Sequence, residues 1–320
     1  MALGERILET IGAHELGAAR TFHLDRLADA IFEHHWHLSD LSWSSLPLLP
    51  IPQRAKGRRL QAFVEFGKRA IRVQLAGERV AVAAANILLA FAQASGLAGA
   101  AQRAIAGVLN DEASHTAVMT ELAARADSEY ANVDISAPGE SPLFSAFLAE
   151  MPELHPALVA MFMGAYEAMV AIRSYNEEAG YEMPSVLGEI AERMGKDDGR
   201  HAKVMRLVAQ ELVELFRAQG ALSSANGESV RHALLDPTRR FWPLLIQHEW
   251  LLIHDDPRLA REFQRRADED AVVGRRFFSA CGLQPEELDY VDLETLTSDT
   301  AARCVNNAAL NSSGLSTIGE

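Results

Sequence analysis

Two five-residue strings limit what this chain can become: Asp111-Glu112-Ala113-Ser114-His115 and Asp197-Asp198-Gly199-Arg200-His201. In each, a carboxylate and an imidazole three residues apart share one face of a helix. Both strings lie in register with an apolar stripe. Ile105, Val108, Glu112, His115, Met119 and Leu122 step by three and four, as do Leu187, Ala191, Met194, Asp198, His201, Met205, Val208 and Leu212. Ionisable side chains therefore stand where core residues belong. Two further stripes show the same intrusion: Glu78 within Ile71, Leu75, Val82, Ala85 and Leu89, and Glu167 within Ala160, Met163, Val170 and Ser174.

These stripes lie in four long helical patterns, at about 59–94, 98–126, 154–179 and 185–218, joined pairwise by turns at Ser95-Gly96 and Gly180–Pro184. In an antiparallel hairpin, facing residues lie equally far from the turn. The midpoint of Glu78 and Glu112 is 95, and that of Glu167 and Asp198 falls between 182 and 183. The pattern predicts four carboxylates and two histidines at one depth of a helical bundle. Buried salt bridges alone would leave four acids against two imidazoles, and an isolated buried carboxylate is costly. Two divalent cations resolve the deficit. Oxygen ligands with a few imidazole nitrogens suit iron or manganese, and no thiolate stands nearby to favour zinc.

The doubled pattern, a Glu followed by Asp-Glu-x-x-His, resembles that of the ferritin-like di-iron carboxylate proteins and is similar to the p-aminobenzoate N-oxygenase family, over roughly 60–215. That resemblance implies a ferritin-like four-helix bundle. It also implies that Glu78 and His115 bind one iron, Glu167 and His201 the other, and that Glu112 and Asp198 bridge or span the two. Asp111 and Asp197 would be acceptors that orient the imidazoles. The chain departs from the family at two places: Asp198 replaces a Glu, and Met194 occupies a position where the N-oxygenases carry an extra His.

The remaining sequence reads as all-α, with no convincing strand: residues 1–58 as N-terminal helices and an irregular connection (38–53, with three prolines), 59–220 as the bundle, and 221–320 as a helical extension ending in a loose tail beyond about 295. A short apolar helix near 143–150 is expected in the crossover. With 44 acidic and 30 basic residues the net charge is −14, which disfavours nucleic acid and anionic lipid as partners. Cys281 and Cys304 show no CxxC spacing, and no leader or clean apolar span of ~20 residues is evident, so a cytoplasmic protein without a membrane segment is expected.

Other candidates rank lower. Glu33-His34-His35-Trp36-His37 reads as a solvated helix end, because adjacent residues point around a helix. Glu177 and Glu178 lie too near their turn to face Asp198. His248 and His254 are spaced by six and read as ordinary helix positions, with a place near a substrate entrance the other option. Arg72, Arg79 and Arg173 flank the carboxylate stripes as ion-pair partners or receivers of an acidic substrate group.

The expected function is a di-iron oxygenase that uses dioxygen as co-substrate and an external electron donor to oxidise a small organic molecule at an amine nitrogen, and the expected assembly is a homodimer. The alternatives are a hydroxylase or desaturase acting on a C–H bond of an acyl or carrier-bound substrate, and a ferroxidase or iron-storage protein.

Overall fold

The structure, a computed structural model, describes residues 18–95, 97–133, 142–178, 184–220, 229–253 and 260–314. The regular elements among them are helices, without a strand. In chain order the helices are α1 (Ala18–His34), α2 (Arg58–Ala94), α3 (Gly99–Glu129), α4 (Pro142–Glu150), α5 (Pro156–Glu178), α6 (Val186–Gly220), α7 (Asp236–Ile253), α8 (Ala260–Ala280), α9 (Pro285–Val291) and α10 (Leu293–Gly314). A π-helical turn, Arg231–Leu235, leads into α7.

Helix α2 packs along α3, and α5 along α6, while α2 meets α5 and α3 meets α6 across the pairs. The short link between α2 and α3 makes them antiparallel. Ser95 and Leu97 donate their amides to the carbonyls of Phe91 and Ala92, so the turn satisfies two of the carbonyls at the end of α2. The stripes predicted from periodicity are the buried faces: Ile105, Val108, Met119 and Leu122 on α3, and Met194, Met205, Val208 and Leu212 on α6, are all withdrawn from solvent.

The apolar interior is divided in two. One cluster gathers Val64, Ile71, Met119, Leu122, Leu187, Ile190 and Met194 around the irregular connection; the larger one holds Ala81, Ala85, Ile105, Val108, Met163, Met205 and Val208 and continues into α7–α10. Between them in every long helix lies a polar layer: Glu78, Glu112 with His115, Glu167, and Asp198 with His201.

Residues 38–53 are irregular, as expected, but they are not a loose cover. Pro47 and Leu48 accept the amides of Val186 and Leu187, and the Ser185 hydroxyl accepts that of Gly188, so the connection and one serine satisfy the exposed donors of the first turn of α6. Leu48 and Leu49 are buried beneath it.

Two expectations need correction. The tail past 295 is helix to Gly314, because small polar residues hide a buried face made by Leu293, Thr297, Thr300 and Ala301. The Thr297 hydroxyl accepts the Trp242 indole N–H at 2.7 Å, and Thr300 turns its own hydroxyl back onto the Leu296 carbonyl. Second, α2 is long and apolar enough by composition to cross a membrane. Within this fold it packs against α3, α5 and α7. Gly180 and the rest of the 179–183 turn, and His254, lie outside the described residues.

Candidate metal centre

All six predicted residues converge, each less than 5% exposed. They form two groups whose ligand atoms lie within 4.8 Å of one another: Glu78, Glu112 and His115, and Glu112, Glu167, Asp198 and His201. Glu112 belongs to both. Asp198 belongs to the second alone, in contrast to the bridging role implied by resemblance; with one methylene fewer than Glu, its carboxylate reaches less far.

The imidazoles are aimed by their far nitrogens. His115 Nδ1 faces Glu78 Oε2 at 3.3 Å and Glu112 Oε2 at 3.7 Å, while its Nε2 lies 3.1 Å from Asp197 Oδ2. His201 Nδ1 faces Glu112 Oε1 at 2.6 Å, and its Nε2 lies 3.2 Å from Asp111 Oδ2. The support therefore crosses between hairpins: the Asp on α3 holds the His on α6, and the Asp on α6 holds the His on α3. With a cation bound at Nδ1, the carboxylate at Nε2 would hold the ring's remaining proton there.

Inside the layer the polar atoms lack partners. Glu112 Oε1, Asp198 Oδ2 and both Nδ1 atoms are fully buried without a hydrogen bond, even where they approach one another closely. Ligands bound at about 2.1 Å to one ion stand about 3 Å apart when adjacent, so separations of 2.6–3.9 Å across the groups suit a shared cation. The residues present can hold a metal ion.

Electrostatics agrees. Burial, and then the charge of Glu112, push Glu78 up to about 7. Burial and neighbouring carboxylates raise Glu167 and Asp198 well above the usual range. Burial opposes charge on Glu112 as well, but His201 and His115 outweigh it and hold that carboxyl low. His201 is pushed up to about 10 against its own burial, by Glu112 and Asp111. Without cations the layer offsets its negative charge only by taking up protons.

The sequence missed the outer support. His35 Nδ1 lies 2.6 Å from Asp111 Oδ1, and the Trp36 indole N–H donates to Asp197 Oδ2 at 2.7 Å. Trp36 is buried, its ring 5.9 Å from that of His115 and under the Arg193 guanidinium. The reading of 33–37 as a solvated helix end holds for Glu33, His34 and His37, which are exposed, and fails for His35 and Trp36. Helix α1 ends at His34, so helical period no longer dictates where the next two side chains point. Gln74 donates to Glu78 at 2.5 Å, one turn earlier on α2, and Arg200 pairs with Asp197. Their signal was only the spacing from a ligand.

Arg72 pairs with Asp127 on the surface, and Arg79 is exposed. His248 is buried, 6.2 Å from the Tyr166 ring. The side chains of Arg173, Glu177 and Glu178 lie outside the described residues.

A cavity of about 40 Å³ reaches the centre at Glu167. Its walls include Gly77, Ala81, Phe162, Met163 and Tyr166. Gly77 makes room there for the Tyr166 hydroxyl, which would stand 2.6 Å from a Cβ at that position.

No family model, curated protein or solved structure matches the chain.

Proposed function

We propose that the chain is a non-haem di-iron oxygenase in a ferritin-like bundle, in which Glu78, Glu112, His115, Glu167, Asp198 and His201 hold two iron ions, with manganese the other metal the ligand set accommodates. The observation that carries this reading is the pair of buried carboxylate–histidine groups sharing Glu112, with orphaned donor atoms facing inward. Iron bound there supplies the capacity to reduce dioxygen and oxidise an organic co-substrate, drawing electrons from an external donor.

The chain's own residues supply position and exclusion. Asp111 and Asp197 keep the imidazole protons on Nε2. Trp36 and the 38–53 connection close the layer from solvent on one side, and α7 and α8 pack over the bundle on another. The cavity beside Glu167 has room for dioxygen or a few waters. A larger co-substrate requires side chains such as Leu245 or Tyr166 to move.

Oxidation of an aryl amine nitrogen is the favoured reaction. One observation favours C–H oxidation as a second reading: apart from Glu167 and the Tyr166 phenol, the described residues that line the cavity are apolar, which suits an apolar chain. The test is to load the metal-free full chain with Fe(II) under anaerobic conditions, count the retained metal, then admit oxygen with an aryl amine or a free acyl chain. About two irons per chain, oxygen uptake and an oxygenated amine are the expected results. A chain that retains no iron would overturn the proposal; an oxidised acyl chain with untouched amine would select the second reading.

A further inference from the structure

On the face of α6 turned away from the metal layer, a crevice of about 350 Å³ runs between α1 and α6. Its rim carries four basic side chains, His23 and Arg26 from α1 and Lys203 and Arg206 from α6, over a floor that includes Leu27 and Leu207. They gather in a chain whose net charge is −14. Many cations elsewhere sit beside carboxylates, among them Arg72 with Asp127, Arg193 with Glu189, Arg265 with Glu262 and Glu269, and Arg275 with Asp289. Among the described residues, none of the four crevice side chains has a carboxylate partner. Acids on the same two helices are engaged with other cations: Asp25 and Asp29 with Arg103, and Glu211 and Glu214 with Arg20. Arg26 has only the face of the Phe22 ring, at 5.8 Å.

Like charges gathered without counter-charge repel one another, and an anion seated among them removes that repulsion while gaining charge-assisted hydrogen bonds. Two guanidiniums, an ammonium and an imidazole offer planar forks and a point charge, the donor set suited to phosphate oxygens. The volume suits a small molecule. A nucleic acid or an anionic membrane would have to lie against the surrounding acidic surface, which repels it.

We propose that the crevice between α1 and α6, rimmed by His23, Arg26, Lys203 and Arg206, binds a small molecule carrying a phosphoryl group. An occupant would tie α1 to α6. The site stands independently of the metal centre, since Lys203 and Arg206 are exposed on the helix face opposite His201.

The probe is pyrophosphate, titrated calorimetrically into the full chain at constant ionic strength, with citrate and phosphatidylglycerol vesicles as parallel arms. One pyrophosphate per chain is expected, with affinity at least about tenfold weaker in Arg26→Gln/Arg206→Gln. Lys203→Gln alone should weaken it less, and metal content and helicity should be unchanged in both variants. The proposal is overturned if pyrophosphate does not bind, if the double variant binds like the parent, if citrate binds as tightly, or if only vesicles bind.

Discussion

Glu112 is the side chain common to both ligand groups, so losing it differs in kind from losing Glu78, which serves one group. Replacing Glu78 by Gln should lower metal content from about two ions per chain to about one, whereas Glu112→Gln should bring it near zero. Elemental analysis of the purified variants decides this. Equal losses in both would mean that the two groups fill as a unit and that the sharing is geometric only. The outer support acts at the same scale. Trp36→Phe keeps the ring against His115 but removes the N–H that Asp197 accepts. Loss of such a partner weakens metal affinity by about 10–100-fold in well-studied centres. Here Arg200 still holds Asp197, so about tenfold is expected in a chelator competition. An affinity within about twofold of the parent would leave Trp36 a packing residue only.

Helix packing makes opposite predictions for two glycines on neighbouring helices. A Cβ at Gly164 on α5 would stand 2.3 Å from Phe277 Cζ and 2.7 Å from Met205 Cβ, so Gly164→Ala should destabilise by about 1–3 kcal/mol. At Gly199 on α6 the nearest atom would be Ala171 Cβ at 3.8 Å, an ordinary contact, and Gly199→Ala should stabilise by about 0.5–1 kcal/mol. Denaturant melts of both check the signs together. The start of α5 carries an acid sensitivity. His155 is buried, its Nδ1 accepts the Ala157 amide at 3.1 Å, and burial pushes its pKa down to about 4. Between the ordinary value of 6.5 and about 4 the unfolded chain binds the proton and the folded chain does not. Stability from this group is therefore intact above 6.5 and lost as pH falls toward 4, by about 3 kcal/mol at most. His155→Asn should flatten that part of the pH profile; an unchanged slope would assign it elsewhere. The long helices were legible because apolar period and turn residues coincide: the pattern at 59–94 differs from α2 by one residue at its start. The six candidate ligand residues were legible as breaks in those stripes. Helix α10 was not, since threonine and alanine form its buried face, and neither were His35 and Trp36, which lie one and two residues past a helix end that no glycine or proline marks.

At the scale of the whole molecule, the polar layer separates two apolar clusters, and every long helix contributes to it. Anything that binds the layer therefore binds the folded chain and not the unfolded one, where the four helices are apart. Mass action then makes stability depend on metal concentration: about 2.7 kcal/mol is gained at a hundred times the dissociation constant, and about 4.1 at a thousand times. The melting temperature of the metal-free chain should climb steadily with added Fe(II) or Mn(II) and continue to climb beyond stoichiometric loading. In Glu112→Gln the same titration should be nearly flat, because neither group keeps its shared carboxylate. Calcium separates specific filling from general screening of a −14 chain. It demands six to eight oxygen ligands, and two inward Nδ1 atoms exclude that shell, so it should move the transition little. A calcium response as large as that to iron, or a Glu112→Gln response equal to the parent's, would mean that the added cations act on the acidic surface and that the layer is stabilised by protons alone.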